Sequence, residues 1–583
     1  MRTITALSLL FALVTTALAQ QFQDRPDVTV TVTSPAGNSV FFAANGNDSN
    51  PCTQDAPCLT LQKASSFAYQ PGSTINFRGG DTFPGEFHLT RAQVPSGGDP
   101  NNPIIIQSYG TGRATLAANQ GGVTVNGIGP KNWVLLIDAT SGLVIQDLNV
   151  TANGFDVQYG IIIQNTSGHW APHDFQQQQA AGMIHNITVQ RVDVGGFSIP
   201  GPLQAGESGI QLEIAGFSEV INRGICGPIE NVQILDSKFH GNDGITSIAE
   251  EGVHTKHCGN LWNIVYRGNE VFHLGGRSGV GGGNGLFMQG VSGGLIEHNH
   301  VHHNMNNVNW VACGGPVAVW AYQSDHITIQ FNEVDHNGPA NWAFGSCDFG
   351  AFDFDAEVTD SVMQYNYSHD NAGPAWLSFQ GDGRHIIRYN VSVNDNVTQN
   401  NGGAVAILNA DADWVQFYNN TVIGAPACWG TGTTPPAGSI IANNICIGTH
   451  VGQDGNWFGG GTFGGGNISN IDIKNNLYWL AVPGHGPIFT FNFWSLAQWQ
   501  ANMGKDQNSL VADPNLVNLT ASRDITWDPT QHTGPQPQPS SYQLTHGSPA
   551  IGAGAVIPNN GGRDYYSNAV TSTVTIGADA GTH

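Results

Sequence analysis

The run Cys347-Asp348-Phe349-Gly350-Ala351-Phe352-Asp353-Phe354-Asp355-Ala356-Glu357 places three aspartates within eight residues. In an extended strand successive side chains alternate, so Phe352 and Phe354 are expected on a core face, with Asp353 and Asp355 together on the solvent face. Two residues of strand span ~6.6 Å, inside the ~5–9.5 Å that separates the paired carboxyl groups of glycosidases. Two carboxylates this close resist being ionised together, which leaves one as proton donor and the other as base or nucleophile. Asp353 and Asp355 are therefore the expected catalytic pair, assisted by Asp348 from the preceding turn.

Sugar rings stack on aromatic faces and hydrogen-bond to amides and carboxylates. Aligning neighbouring repeats on a recurrent Asn sets Phe287 and Gln289, then Ala318 and Trp320, on one side of the pair, with Ser378 and Gln380 on the other. Further back, Ile210, Leu212 and Ile214 are expected to face in, and Gln211 and Glu213 to face out. Trp310, Trp342 and Trp376 fall in the flanking loops, and His369 lies close by in sequence. The expected substrate-binding set is Trp320, Gln289, Gln380, Glu213, His369, Trp376, Trp342, Trp310 and Arg277. His302-His303, His336 and His369 follow their repeat Asn by three or four residues, and are expected chiefly as a stacked structural corner. The Gly-rich run Leu274–Asn284 lacks the Gly-Lys-Ser/Thr ending of a phosphate loop. Neither CxxC nor Cys/His zinc spacing is present, so no metal is expected.

The elements that must carry these residues repeat. The phrase apolar-x-x-Asn-x-apolar recurs with its Asn at 269, 299, 332, 366, 390, 420 and 444, at gaps of 30, 33, 34, 24, 30 and 24. A fixed-role Asn at this spacing is a solenoid signature. Each turn of chain would be three short strands, with inward side chains stacking from one turn to the next and the Asn amides forming a ladder at a corner that tolerates left-handed backbone. A propeller blade needs ~40–50 residues, more than these gaps allow. Long 3.6-periodic segments are scarce, so the expected class is all-β.

Phe41-Phe-Ala-Ala-Asn-Gly-Asn-Asp-Ser-Asn-Pro51, Leu59-Thr-Leu-Gln-Lys-Ala64, Pro103–Gly112, Ser548–Gly554 and Ile576–Asp579 resemble the opening and closing segments of secreted carbohydrate-active enzymes of the right-handed parallel β-helix type. Asp348–Trp376 resembles a stretch of β-helix glycoside hydrolases that reads Asp-Gly-Gly-Gly-x-Asp-x-Asp-Gly-Gly. It departs by Phe349 and Ala351 in place of Gly, and by Ala356-Glu357 in place of Gly-Gly. The resemblance implies a secreted glycoside hydrolase acting on a polysaccharide. The alternative it carries is a polysaccharide lyase or epimerase acting on uronates. That enzyme would use Arg277 with Lys256 or Arg267 as the base and bring Ca2+ held by carboxylates; the hydrolase needs no cofactor. A third alternative is a non-catalytic carbohydrate-binding solenoid or adhesin.

The organisation expected is a signal peptide over 1–20, a lead-in and capping region over 21–100, coils over 101–480 and a loop-rich C-terminal cap over 481–583. Arg2, the apolar run Leu7–Val14 and Ala17-Leu18-Ala19 carry the export reading. Lys+Arg total 19 against 43 Asp+Glu, a formal charge of −24. That balance disfavours nucleic acid and anionic membrane as partners, and a monomer is expected. The 8 cysteines are even in number, as in exported disulfide proteins. Expected pairs are Cys52–Cys58, Cys226–Cys258, Cys313–Cys347 and Cys428–Cys446.

Overall fold

The computed structural model describes residues 39–581, apart from 95–96, 122–123, 126–127, 131, 166–182, 201–208, 216, 219–221, 243–247, 257–260, 276–281, 306–315, 339–348, 380, 382, 397–403, 425–426, 450–457, 463–466, 490–493 and 521–539. Backbone alone is described at 124–125, 128–130, 199–200, 209, 217–218, 222–226, 248–249, 251, 256 and 458–462. The expected signal peptide, Asp348, Gln380, Trp310, Trp342 and Arg277 lie outside the described residues. So do Cys258, Cys313, Cys347 and the side chain of Cys226.

Short strands recur in threes, and each pairs in parallel with its counterpart one turn of chain earlier and later. Among the described residues they build three long sheets of 15, 14 and 14 strands, plus two small antiparallel pairs. The first sheet holds Val362–Gln364 and its equivalents, the second Tyr367–His369, and the third Phe352–Asp355. All three sheets already hold strands before residue 101, at Thr74–Arg78, Thr82–Pro84 and Phe87–Leu89. Leu510–Val511 still pairs with the second sheet. The coil thus begins earlier and ends later than the repeat phrase marks, because the phrase reports one corner and not the strands.

Alternate side chains point inward into one continuous apolar core. Phe352 and Phe354 belong to it, with Leu286, Met288, Val319, Ala321 and Trp376 on neighbouring turns. Burying such side chains stabilises by roughly 1.5–3 kcal/mol each relative to exposure. Cys428–Cys446 and Cys52–Cys58 are bonded as expected.

The corner between the first and second sheets carries the expected ladder, and it runs one turn further, to Asn476. Asn366 Oδ1 accepts from both the backbone N–H and the Nδ2 of Asn332, at 3.1 and 3.0 Å. Asn390 Oδ1 does the same for Asn366, at 2.9 and 3.1 Å. The left-handed backbone falls on the residue before each Asn, not on the Asn itself: Gly268, His298, Phe331, Tyr365, Tyr389, Asn419, Asn443 and Asn475 all have positive φ. Left-handed φ costs most side chains ~1–2 kcal/mol. Here the aromatic ones stack, His298 on Phe331 at 5.0 Å and Phe331 on Tyr365 at 5.1 Å. A second ladder occupies the next corner, Asn304–Asn337–Asn371–Asp395, with His303, His336, Asp370 and Asn394 left-handed before it.

The C-terminal segment from Ser540 packs along the side of the coil. Tyr542, Leu544, Ile557, Tyr565 and Ile576 join an apolar cluster with outward Tyr365, Tyr367, Tyr389, Val391 and Ile445. Asn443 grips it by exchanging two hydrogen bonds with the backbone of Ala555, each 2.8 Å. Among the described residues no helix is long and apolar enough to cross a membrane.

Candidate functional site

The outward face of the third sheet brings the acid pair together with its aromatic neighbours. Backbone register sets Glu213, His254, Phe287, Trp320, Asp353, Leu377 and Ile407 side by side in one row. Two residues on, Gln289, Tyr322 and Asp355 form a parallel row. The Phe287 and Trp320 rings lie face to face, 3.9 Å between centroids and 11° between planes. His254 meets Phe287 edge-on at 5.2 Å. Trp320, Tyr322, Gln289 and Asp355 are half-buried. Ala356 N–H donates to Asp355 Oδ1 at 2.8 Å.

Several expectations change on this register. Phe287 and Gln289 stand where expected, but Trp320 is the neighbour of Asp353 rather than of Asp355. The neighbour of Asp355 is Tyr322, which the sequence reading missed. On the other side Asp353 faces Leu377, not Ser378. Ser378 aligns with inward Phe354 and its Oγ meets His385 Nδ1 at 3.0 Å. For Trp320 the cause is a one-residue difference in turn length, while Leu377 simply keeps the distance to its Asn that Asp353 has. Trp320 stands 12 residues before its ladder Asn332, whereas Asp353 and Leu377 stand 13 before Asn366 and Asn390. A slip of one residue moves a side chain to the opposite face.

Asp353 does not face solvent. It is 1% exposed, because Trp320 and Leu377 beside it belong to an apolar cluster with Val317, Ala404, Ile407, Ala427 and Phe379. Glu213 is on the outward row as expected but fully buried. It lies four strands from Asp353, ~19 Å at the usual strand spacing, too far to share its chemistry. Ile210 does not face the core; it packs with Leu136, Tyr159 and Ile162 in a separate cluster. Trp376 pairs with inward Phe352 and sits fully buried in the core, 5.7 Å from Phe417, so it is not a loop residue of the groove. Arg267 is held by Glu297 at 2.6 Å on the first sheet, away from the acid pair.

His369 is on the second sheet, not beside the aspartates. There the outward positions form two rows, Lys238–Glu270–His300–Glu333–Tyr367 and His240–Phe272–His302–Asp335–His369. His300 Nε2 meets Asp335 Oδ2 at 2.6 Å, His336 Nδ1 meets Asp335 Oδ1 at 2.7 Å, and His369 Nε2 meets Glu333 Oε1 at 3.3 Å. The His300 and His302 rings stack at 4.1 Å. Burial pushes Asp335 up, but hydrogen bonds from His300 and His336 outweigh it and hold the carboxyl well below the usual range. Burial alone would lower His369, yet its bonds to Asp370 and Glu333 raise it to about 10. His302 holds Glu270 down at about 2. The histidine corner expected from sequence is thus a histidine–carboxylate field. The acids were missed because Glu270 lies 63 residues before Glu333, two turns of chain away from the strand that carries Glu333 and Asp335.

The family described as "Right handed beta helix region" matches residues 221–422. This fold is a right-handed parallel β-helix. No curated protein matches the chain. Among solved structures, a GH136 lacto-N-biosidase from Eubacterium ramulus is 16% identical, with 68% of this chain and 64% of that chain covered and a TM-score of 0.48. This chain therefore spans just under two thirds of that relative. Pectate lyase Pel9A is 15% identical over 95% of this chain and 98% of its own, with a TM-score of 0.38. The PL6 family alginate lyase AlyGC is 14% identical over 82% and 54%, with a TM-score of 0.40.

Proposed function

We propose that this chain is a carbohydrate-active enzyme and, within that class, a hydrolase of glycosidic bonds in a polysaccharide. The observation that carries this reading is the register on the third sheet: the stacked Phe287 and Trp320 rings lead directly to Asp353, with Gln289, Tyr322 and Asp355 alongside. Aromatic faces hold sugar rings, the Gln289 amide bonds hydroxyls, and two carboxyls two residues apart on one strand supply acid and base. Asp355, half-buried, is the group placed to meet substrate. Asp353 is its buried partner beside the aromatic platform. One carboxyl protonates the departing glycosidic oxygen while the other activates water or attacks the anomeric carbon.

The test is a polysaccharide panel read both for new reducing ends and for the ultraviolet absorbance of an unsaturated product. Reducing ends without absorbance are expected. Asp355→Asn and Asp353→Asn should each lower kcat/KM on the order of 10²–10⁴-fold, and Trp320→Ala should raise KM. Absorbing products would transfer the chain to the lyase reading, and release of neither would leave a binding solenoid. Full activity in both Asn variants ends the assignment of these residues.

A further inference from the structure

Glu333 is 2% exposed, and its Oε2 is buried without a hydrogen-bond partner. A buried carboxylate oxygen left unsatisfied costs free energy unless a positive charge meets it. Its surroundings make the need sharper. Tyr367 and, from the C-terminal segment, Tyr565 lie within electrostatic reach of Glu333, so the carboxylate has a dry aromatic wall on one side. On the other side stands a donor set that suits a metal ion. Ligand atoms of His300, Glu333 and Asp335 all lie within 4.8 Å of one another, and those of Glu270, His300 and His302 satisfy the same criterion. The two sets share His300.

We propose that the second sheet holds a divalent transition-metal ion on His300, Glu333 and Asp335, a site separate from the acid pair of the third sheet. These three side chains occupy adjacent outward positions on two paired strands, His300–His302 and Glu333–Asp335, so the sheet itself fixes their separation. One imidazole with two carboxylates matches Zn2+ or Mn2+. It does not match Ca2+, which takes six to eight oxygens. His336 on Asp335 and His369 on Glu333 orient the carboxylates from behind, the supporting role that such outer partners have in metal sites. His302 and Glu270 lie on the more open side, where a ligand could enter. The site was invisible as a motif, since its ligands span two turns of chain and carry no sequence spacing of their own.

The experiment uses the full chain, stripped with a chelator and titrated with Zn2+ by calorimetry, with melting curves in parallel. One equivalent should bind and raise Tm, since binding only the native state stabilises it. His300→Ala and Glu333→Gln should each weaken binding by at least the roughly 10–100-fold that loss of a supporting partner brings. Glu333→Gln keeps the side chain's shape and guards against a folding defect, which the melting curve without metal reports directly. No uptake by the stripped wild type overturns the site. Uptake unchanged in both variants does the same, because the ion would then sit elsewhere. Ca2+ binding as tightly as Zn2+ would overturn the class of metal.

Discussion

Glu250 is fully buried, and its two oxygens accept from the backbone N–H groups of Asn242 and Gly275, at 2.8 and 2.9 Å. Burial outweighs these bonds and pushes the carboxyl up to about 7 from 4.5. The folded state therefore holds this proton more tightly than the unfolded chain does. The stability it contributes is fully present below about pH 4.5 and is lost as pH rises through about 7. Glu250→Gln should flatten that part of the profile: across this window, denaturant melts should show wild type losing stability relative to the variant. An unchanged difference between them would refute the raised carboxyl. At this scale the sequence disclosed chemical types and local alternation. Phe352 and Phe354 face the core because neighbours along a strand alternate. That Asp353 is covered and Trp376 is core were not legible, since each depends on which residue stands one turn away.

At the scale of the element, the asparagine ladder is the feature the sequence displayed most openly, through a fixed residue at a spacing of one coil. Asn366 sits mid-ladder. Its Oδ1 satisfies two N–H groups of Asn332, and its Nδ2 reaches Ile329 O and Asn390 Oδ1. Asn366→Ala leaves buried donors of Asn332 without that acceptor and should cost about 2–4 kcal/mol. Equilibrium unfolding would check it, and a loss below about 0.5 kcal/mol, the size of an ordinary surface substitution, would show that water replaces the rung. The second ladder was harder to read. Its members are Asn304, Asn337 and Asn371, but it ends on Asp395, raised to about 6 by burial against bonds from Ser392 and Asn371. The residues before the ladder asparagines take the left-handed backbone, and that explains why His303 and His336 stack at 5.0 Å beside the proposed metal site.

For the whole molecule, the C-terminal segment is a side cover for the later coils. Arg388 is buried beneath it, donating to Gln364 Oε1 and Asn559 O, both at 2.7 Å, and Arg563 lies over the Phe331 and Tyr365 rings. A chain ending before Ser540 would expose Tyr365, Tyr389, Val391 and Ile445 as one apolar patch, the kind of surface that drives association. It should bind a hydrophobic dye and migrate as multimers by light scattering. A monomer with wild-type dye binding would show that the cover is dispensable. The sequence by itself determined that the chain coils, where the ladder runs, and that Phe352 and Phe354 face in, because those properties repeat with a period of two along a strand or one turn along the helix. Tertiary structure alone decided which outward side chains are neighbours. Turns of unequal length set the register between coils, and one residue fewer between Trp320 and Asn332 than between Asp353 and Asn366 brings Trp320 beside Asp353. The same register gathered Glu270, His300, Glu333, Asp335 and His369, far apart in the chain, onto one face of the second sheet.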